Sequence, residues 1–219
     1  MFVDPNISQL GASVQDFRRA RNQADLEEIL ARLKGETNQL LSFDEVRRKL
    51  GLQGSTARGL HDIPLDAIVG SVGRYSDFTR DFLPRRDINP ERWARVKIAA
   101  SGMAGLPPIQ VYKIGEAYFV EDGNHRVSVA RQLGAAYIQA YVNEVYIRAP
   151  LTPDVKPDDL ILIAEYNKFL ETTRLNELRP EADLRVTVPG KYPLLLEHIS
   201  VHRYYMGLDL KREIPYEEA

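Results

Sequence analysis

The stretch PPIQVYKIGEAYFVEDGNHRVSVARQLGAAYIQAYVNEV, residues 107–145, reads as strand, turn, strand, tight loop, helix, strand. Ile109, Val111 and Tyr112 make a short β-prone run. Gly115 marks a turn, and Ala117 to Val120 is a second run. Both runs are bounded by turn residues, as strands are. Glu121-Asp122-Gly123-Asn124-His125-Arg126 follows. After it Val127, Val129, Ala130 and Leu133 recur at helical spacing, and Gly134 closes the helix as a C-cap. Tyr137 to Val142 is a third strand.

The loop EDGNHR is dense in chemistry. Gly123 lets the backbone turn sharply and lets a ligand approach closely. Asn124 can cap the helix, whose first backbone N–H groups then form a ready anion site. Arg126 adds a fork of donors that suits phosphate. His125 can donate to an anion or act as acid or base. Glu121 and Asp122 could hold a metal ion or take a proton from a hydroxyl. The combined reading is a phosphate-binding loop with acid/base groups beside it. The alternative is that Asp122, Asn124 and Arg126 cap the helix and pair with one another.

The order PPI-V-turn-YFV-DGNHR-helix-LG-I-A-V resembles the ParB/sulfiredoxin superfamily, and the upstream IPLDAIVGS (63–71) resembles its opening strand. The resemblance covers about residues 60–146. It implies an α+β fold: a small mixed β-sheet core with helical N- and C-terminal extensions. Members include ParB partition proteins that bind CTP and DNA, sulfiredoxins that use ATP, and a free serine kinase that uses ADP. They share a nucleotide phosphate held at this loop, which implies phosphate contacts for Gly123, Asn124, His125 and Arg126. The implied cofactor is therefore CTP, ATP or ADP, with or without Mg²⁺. Sulfiredoxin chemistry needs a cysteine in the loop. This chain has none, and Asn124 stands at that place. ParB carries G-E-R-R here; the aspartate-led loop is more similar to the kinase-type branch.

At 219 residues the chain is long enough for one or two domains. Its net charge of −2 argues against strong non-specific nucleic-acid affinity, which needs many phosphate neutralisations. No apolar run is long enough for a membrane span. The N-terminus MFVDPNISQL has neither a basic region nor an apolar core, so no signal peptide is expected. The lack of cysteine rules out disulfides and thiolate metal sites and fits a cytoplasmic protein.

Residues 1–60 read as a helical extension. Val14, Phe17, Ala20 and Arg21 begin a pattern that Leu26, Ile29, Leu30 and Leu33 continue to Gly35. Ser42-Phe43-Asp44-Glu45 is a capping box that opens a second helix. SFDEVRRKLGL could be half of a helix-turn-helix, but no recognition helix follows, since 53–59 reads as a loop. In residues 70–97, arginines alternate with Tyr75, Phe78, Phe82 and Trp93, a mixture that can stack on bases and grip phosphates. Asp77, Asp81, Asp87 and Glu91 dilute it, and a packed loop with internal ion pairs is the plainer reading. In the superfamily this region lies beside the nucleotide, which implies phosphate contacts for Arg74, Arg85 and Arg86. Asn89-Pro90 starts a helix with proline near N1.

Residues 61–146 form the expected nucleotide-binding domain, and 147–219 a mixed extension. Pro150, Pro153 and Pro157 look like a linker, followed by a helix from Asp158, a strand at Leu184 to Val188 and a helix over Pro193 to Tyr205. His198 and His202 share a face of that last helix, but two histidines in E-H-x-x-x-H order are a weak metal signal. The end, REIPYEEA, stops without a cap, as in a piece of a longer protein. Three functions are compatible with this pattern. One is a ParB-like nucleotide-binding protein associated with DNA, possible as a homodimer. Another is a phosphotransferase using Glu121, Asp122 and His125. The third is a non-catalytic nucleotide sensor.

Overall fold

The computed structural model describes residues 5–102, 105–182 and 184–219. Helix α1 spans Pro5–Lys34, strand β1 Leu41–Ser42 and helix α2 Phe43–Lys49. Strand β2, Thr56–Pro64, leads through a single 3-10 turn into β3, Ile68–Ser71. Helix α3, Pro90–Ala100, precedes the hairpin β4, Ile109–Ile114, and β5, Ala117–Asp122. Helix α4, Asn124–Gln132, and strand β6, Tyr137–Val145, complete the sheet. Helices α5, Asp159–Thr173, α6, Leu175–Leu178, and α7, Lys191–Leu210, follow. Among the described residues no helix is long and apolar enough to cross a membrane.

The sheet is mixed, in the order β1-β3-β5-β4-β6-β2, and the protein is α+β as expected. Strand β5 runs parallel to β3 and antiparallel to β4, and β6 runs parallel to β4 and antiparallel to β2. Period-two alternation divides the core. Ile109, Val111 and Val120 pack with Phe17, Trp93, Val127 and Val129 on the face covered by α1, α3 and α4. Ile114, Ala117 and Phe119 pack with Phe43, Val46, Leu50 and Leu160 on the face covered by α2 and α5. Buried Tyr166, Phe169, Leu170 and Tyr192 join α5 to α7.

Local signals produce the helix starts they predict. Ser42 accepts from the Glu45 N–H, and the Asn89 side chain accepts from the N–H groups of Glu91 and Arg92, with Pro90 inside the first turn. Four expectations are corrected. Residues 56–59 are not loop but the start of β2, so residue 60 lies inside a strand rather than at a boundary. That strand pairs with β6, where Arg58 meets Glu144 at 2.7 Å. The segment around Pro153 is not a free linker, because the Arg80 guanidinium donates to the carbonyls of Pro153 and Val155. Leu184 to Val188 form no strand; the Tyr192 hydroxyl takes the Val186 N–H and donates to the Leu184 carbonyl, groups that a strand would offer to a neighbour. Leu26, Ile29, Leu30 and Leu33 continue α1 but are exposed, while Phe17, Ala20 and Ala24 are buried.

Gly70 sits where β1, β3 and β5 come closest. A Cβ there would lie 2.3 Å from the Leu41 carbonyl oxygen and 2.5 Å from the Phe119 ring. The carbonyl belongs to the β1–β3 ladder and the Phe119 ring is fully buried, so neither has room to withdraw. Gly70→Ala is therefore expected to lower the urea midpoint by the equivalent of at least about 2 kcal/mol, as overpacking of a tight core does. Gly11→Ala, in α1 with nothing near the added methyl, should instead stabilise by about 0.5–1 kcal/mol.

Candidate functional site

The end of β5 turns into α4 through Gly123, which has φ 119° and occupies the N-cap position expected for Asn124. A side chain at Gly123 would collide with Ile109, whose Cγ2 would lie 2.4 Å from the new Cβ. No side chain caps α4, so its first N–H groups face outward without an intrahelical acceptor. They open onto a cleft of about 690 Å³. One wall is the loop itself, Glu121 to Arg126, with Gly73 and Arg74 beside it. The other is α3, with Arg92, Arg95, Val96 and Ala99, together with Leu106 and Pro107.

Asn124 is the first residue of α4 rather than its cap, and it is 9% exposed. Its amide donates to the Ser71 hydroxyl at 3.0 Å and, at 3.4 Å, to the Gly73 carbonyl, while its Oδ1 has no partner. His125 is 7% exposed, its ring edge against Phe78, and neither ring nitrogen has a hydrogen-bond partner. Burial, aided by the nearby guanidinium groups of Arg92 and Arg74, pushes its pKa down to about 4. The imidazole is therefore neutral at pH 7. Two buried, unmade hydrogen-bonding groups in succession on the cleft wall are costly to a folded protein, on the order of 1–3 kcal/mol each.

The Arg126 fork, which by its chemistry suits phosphate, is engaged within the protein. Its Nη1 donates to the carbonyls of Pro107 and Pro108, at 2.9 and 2.7 Å, and its Nη2 pairs with Asp122. It acts as a strut between the start of β4 and the loop. Glu121 and Asp122 are adjacent on a strand and point to opposite faces. Glu121 accepts a long hydrogen bond, 3.4 Å, from the Tyr112 hydroxyl, whose pKa is raised by burial and then by that carboxylate. The two carboxylates line the cleft, and each is engaged by a different partner, Tyr112 for Glu121 and Arg126 for Asp122. Among the described residues no group of three or more His, Asp or Glu side chains is placed to hold a metal. His198 and His202 are exposed on α7 and do not line the cleft.

Arg74 lies on the rim, held to Asp77 through Nε at 2.5 Å. Arg85 and Arg86 do not reach this cleft. They line a second depression of about 450 Å³ with Asp25, Glu28, Arg32 and Asp87, and Arg85 donates to the Asn38 carbonyl. In the cleft instead stand Arg92 and Arg95, three apart on α3, which the sequence reading counts among the interleaved arginines but not among the phosphate contacts. Their spacing on the helix opened by Asn89-Pro90 was the available signal. Arg95 lies 3.7 Å from Glu91, and among the described residues Arg92 has no ion-pair partner. The aromatics among these arginines are core: Phe78, Phe82 and Trp93 are fully buried and offer no stacking platform, and Tyr75 alone of the four is exposed.

The His125 environment has a consequence for stability. Between pH 6.5 and about 4 the unfolded chain binds a proton at this ring that the folded protein does not, so stability rises with pH across that window and is lost as the pH falls through it. At about 1.4 kcal/mol per unit the full effect is on the order of 3–3.5 kcal/mol. Urea unfolding at pH 7 and pH 4.5 should show a larger acid loss for the wild type than for His125→Gln, by roughly 2 kcal/mol. Equal losses would remove His125 from the acid response.

Neither a protein-family model nor a curated protein matches the sequence. Among solved structures, sulfiredoxin from Arabidopsis thaliana matches at 17% identity with a TM-score of 0.32, over 40% of this chain and 86% of that one. The C-terminally truncated chromosome-partitioning protein ParB from Caulobacter crescentus, complexed with CTP-gamma-S, matches at 17% identity with a TM-score of 0.31, over 57% of this chain and 56% of that one. The match thus spans little more than half of the ParB chain. These likenesses are low and cover only part of the chain; the protein is an α+β molecule built on a central mixed sheet.

Proposed function

We propose that the cleft binds a nucleotide through its phosphate groups and that the protein works as a nucleotide-binding module. The observation that carries this reading is the pair of buried, unpartnered groups, the His125 ring and Asn124 Oδ1, at the uncapped start of α4 on the cleft wall. Neutral His125 has one N–H to give to an anion after a small rotation of its ring. The outward N–H groups of α4 add donors and a partial positive charge. Arg92, with no carboxylate partner among the described residues, supplies full charge on the opposite wall, and Arg74, held to Asp77, lies beside the loop. Val96, Ala99, Leu106 and Pro107 form the apolar stretch of the cleft, suited to a base or ribose. This is the ligand class that the sequence resemblance implies. Separate engagement of Glu121 and Asp122 supports binding over phosphoryl transfer, because transfer needs its acidic groups to converge on one reacting hydroxyl. Any Mg²⁺ would then arrive on the nucleotide rather than on a protein carboxylate cage.

A thermal-shift screen against ATP, ADP, CTP and GTP, each with and without Mg²⁺, tests the proposal. A ligand at about 100 times its Kd adds roughly 2.7 kcal/mol, which for a chain of this length raises Tm by about 5–10 °C. Arg92→Ala should weaken the responding nucleotide by about tenfold, the scale of one charge-assisted hydrogen bond. Arg86→Ala, outside the cleft, should leave it unchanged. A flat screen, or equal responses from both variants, would overturn the assignment.

A further inference from the structure

The last turns of α1 carry an apolar stripe that no described residue covers. Leu26, Ile29, Leu30 and Leu33 are 63, 55, 55 and 79% exposed. They follow the i, i+3, i+4, i+7 spacing of a helix seam, and they lie opposite the face that buries Phe17, Ala20 and Ala24. The stripe is bounded. The same face upstream carries the polar residues Asn22, Arg19 and Gln15, and Gly35 follows the last residue of the helix.

The charges beside the stripe say what fits it. At 100° per residue, Glu27 and Lys34 fall on one flank, and Asp25 and Arg32 on the other. On each flank the acid precedes the base by seven residues, about two turns. When two copies pair antiparallel, each flank meets the same flank of its partner running the opposite way. Glu27 then faces the partner's Lys34, and Asp25 faces the partner's Arg32, with each contact repeated by symmetry. A parallel pair brings unlike flanks together at one level, acid against acid and base against base. The pattern therefore favours the antiparallel arrangement and opposes the parallel one. The present ties leave room for this. Glu27 is tied by Gln23 of its own helix, and Arg32, whose side chain is 76% exposed, is held among the described residues by Glu28 of its own helix.

We propose that this stripe is a self-association surface: α1 pairs antiparallel with α1 of a second copy, in an isologous contact that sets Leu26 against the partner's Leu33 and Ile29 against the partner's Leu30. Two turns bury less than the roughly 800 Å² per partner of a standard interface, so the pair is concentration-dependent. It lies away from the nucleotide cleft and does not rest on the reading of that site.

Sedimentation velocity over a concentration series gives the first readout. The wild type is expected to shift from one chain toward two as concentration rises, and Ile29→Glu is expected to stay at one chain with an unchanged circular-dichroism spectrum. Asp25→Lys/Glu27→Lys and Arg32→Glu/Lys34→Glu should each associate at least tenfold more weakly than the wild type, and their equimolar mixture should pair. Orientation can be read cleanly because the chain has no cysteine. An oxidised mixture of Leu26→Cys and Leu33→Cys should give the mixed cross-link in excess of either self-cross-link. A wild type that remains monomeric at every concentration, association that Ile29→Glu does not weaken, or a predominant self-cross-link at position 26 would each overturn the proposal.

Discussion

One buried side chain sets the spacing on which the cleft depends. Trp93 of α3 is fully buried, and its indole N–H donates to the Ser128 hydroxyl of α4 at 2.9 Å. Phe17 of α1 meets the same ring edge-on at 5.7 Å, and Lys97 reaches over it to pair with Asp16. These contacts hold three helices on one face of the sheet. The cleft is the space left between the outer side of α3 and the start of α4. An indole N–H with nowhere else to bond in an apolar core makes that separation specific as well as favourable.

Around this frame the polar groups divide into those that build the loop and those that the fold leaves without a partner. Arg126, Asp122 and the two proline carbonyls form a closed set that braces the loop from behind. Asn124 turns its amide inward, to Ser71 and Gly73, and so ties α4 to the end of β3. What remains open is Asn124 Oδ1, the His125 ring, the helix N–H groups and Arg92. The guanidinium with the most obvious position in the loop is thus engaged within the protein.

The two faces of α1 illustrate a similar division. Its first half carries Phe17 and Ala20 into the core against α3, whereas the apolar residues of its second half turn away from the sheet. An apolar helix stripe in water is normally covered by something, and the charge arrangement beside this one is self-complementary.

Local features of the sequence determined much of this protein. The strand–Gly123–helix turn, the Ser42–Glu45 cap and the Asn89-Pro90 helix start depend on groups within a few residues of each other, so their chemistry is readable in order along the chain. The alternation in β4 and β5 likewise announces two buried faces. Tertiary structure alone decided the rest. Thr56–Pro64 becomes an edge strand because β6, some eighty residues later, offers it a ladder and an acid for Arg58. Phe78, Phe82 and Trp93 become core, and Arg80 spends its donors on Pro153 and Val155, because the 70–97 segment folds inward over the sheet. Arg92 and Arg95 reach the cleft while Arg85 and Arg86 do not, because the packing of α3 on α1 and α4 fixes which side of that helix faces the loop. Such choices rest on contacts between residues distant in sequence, whose energies leave no mark on local composition or period.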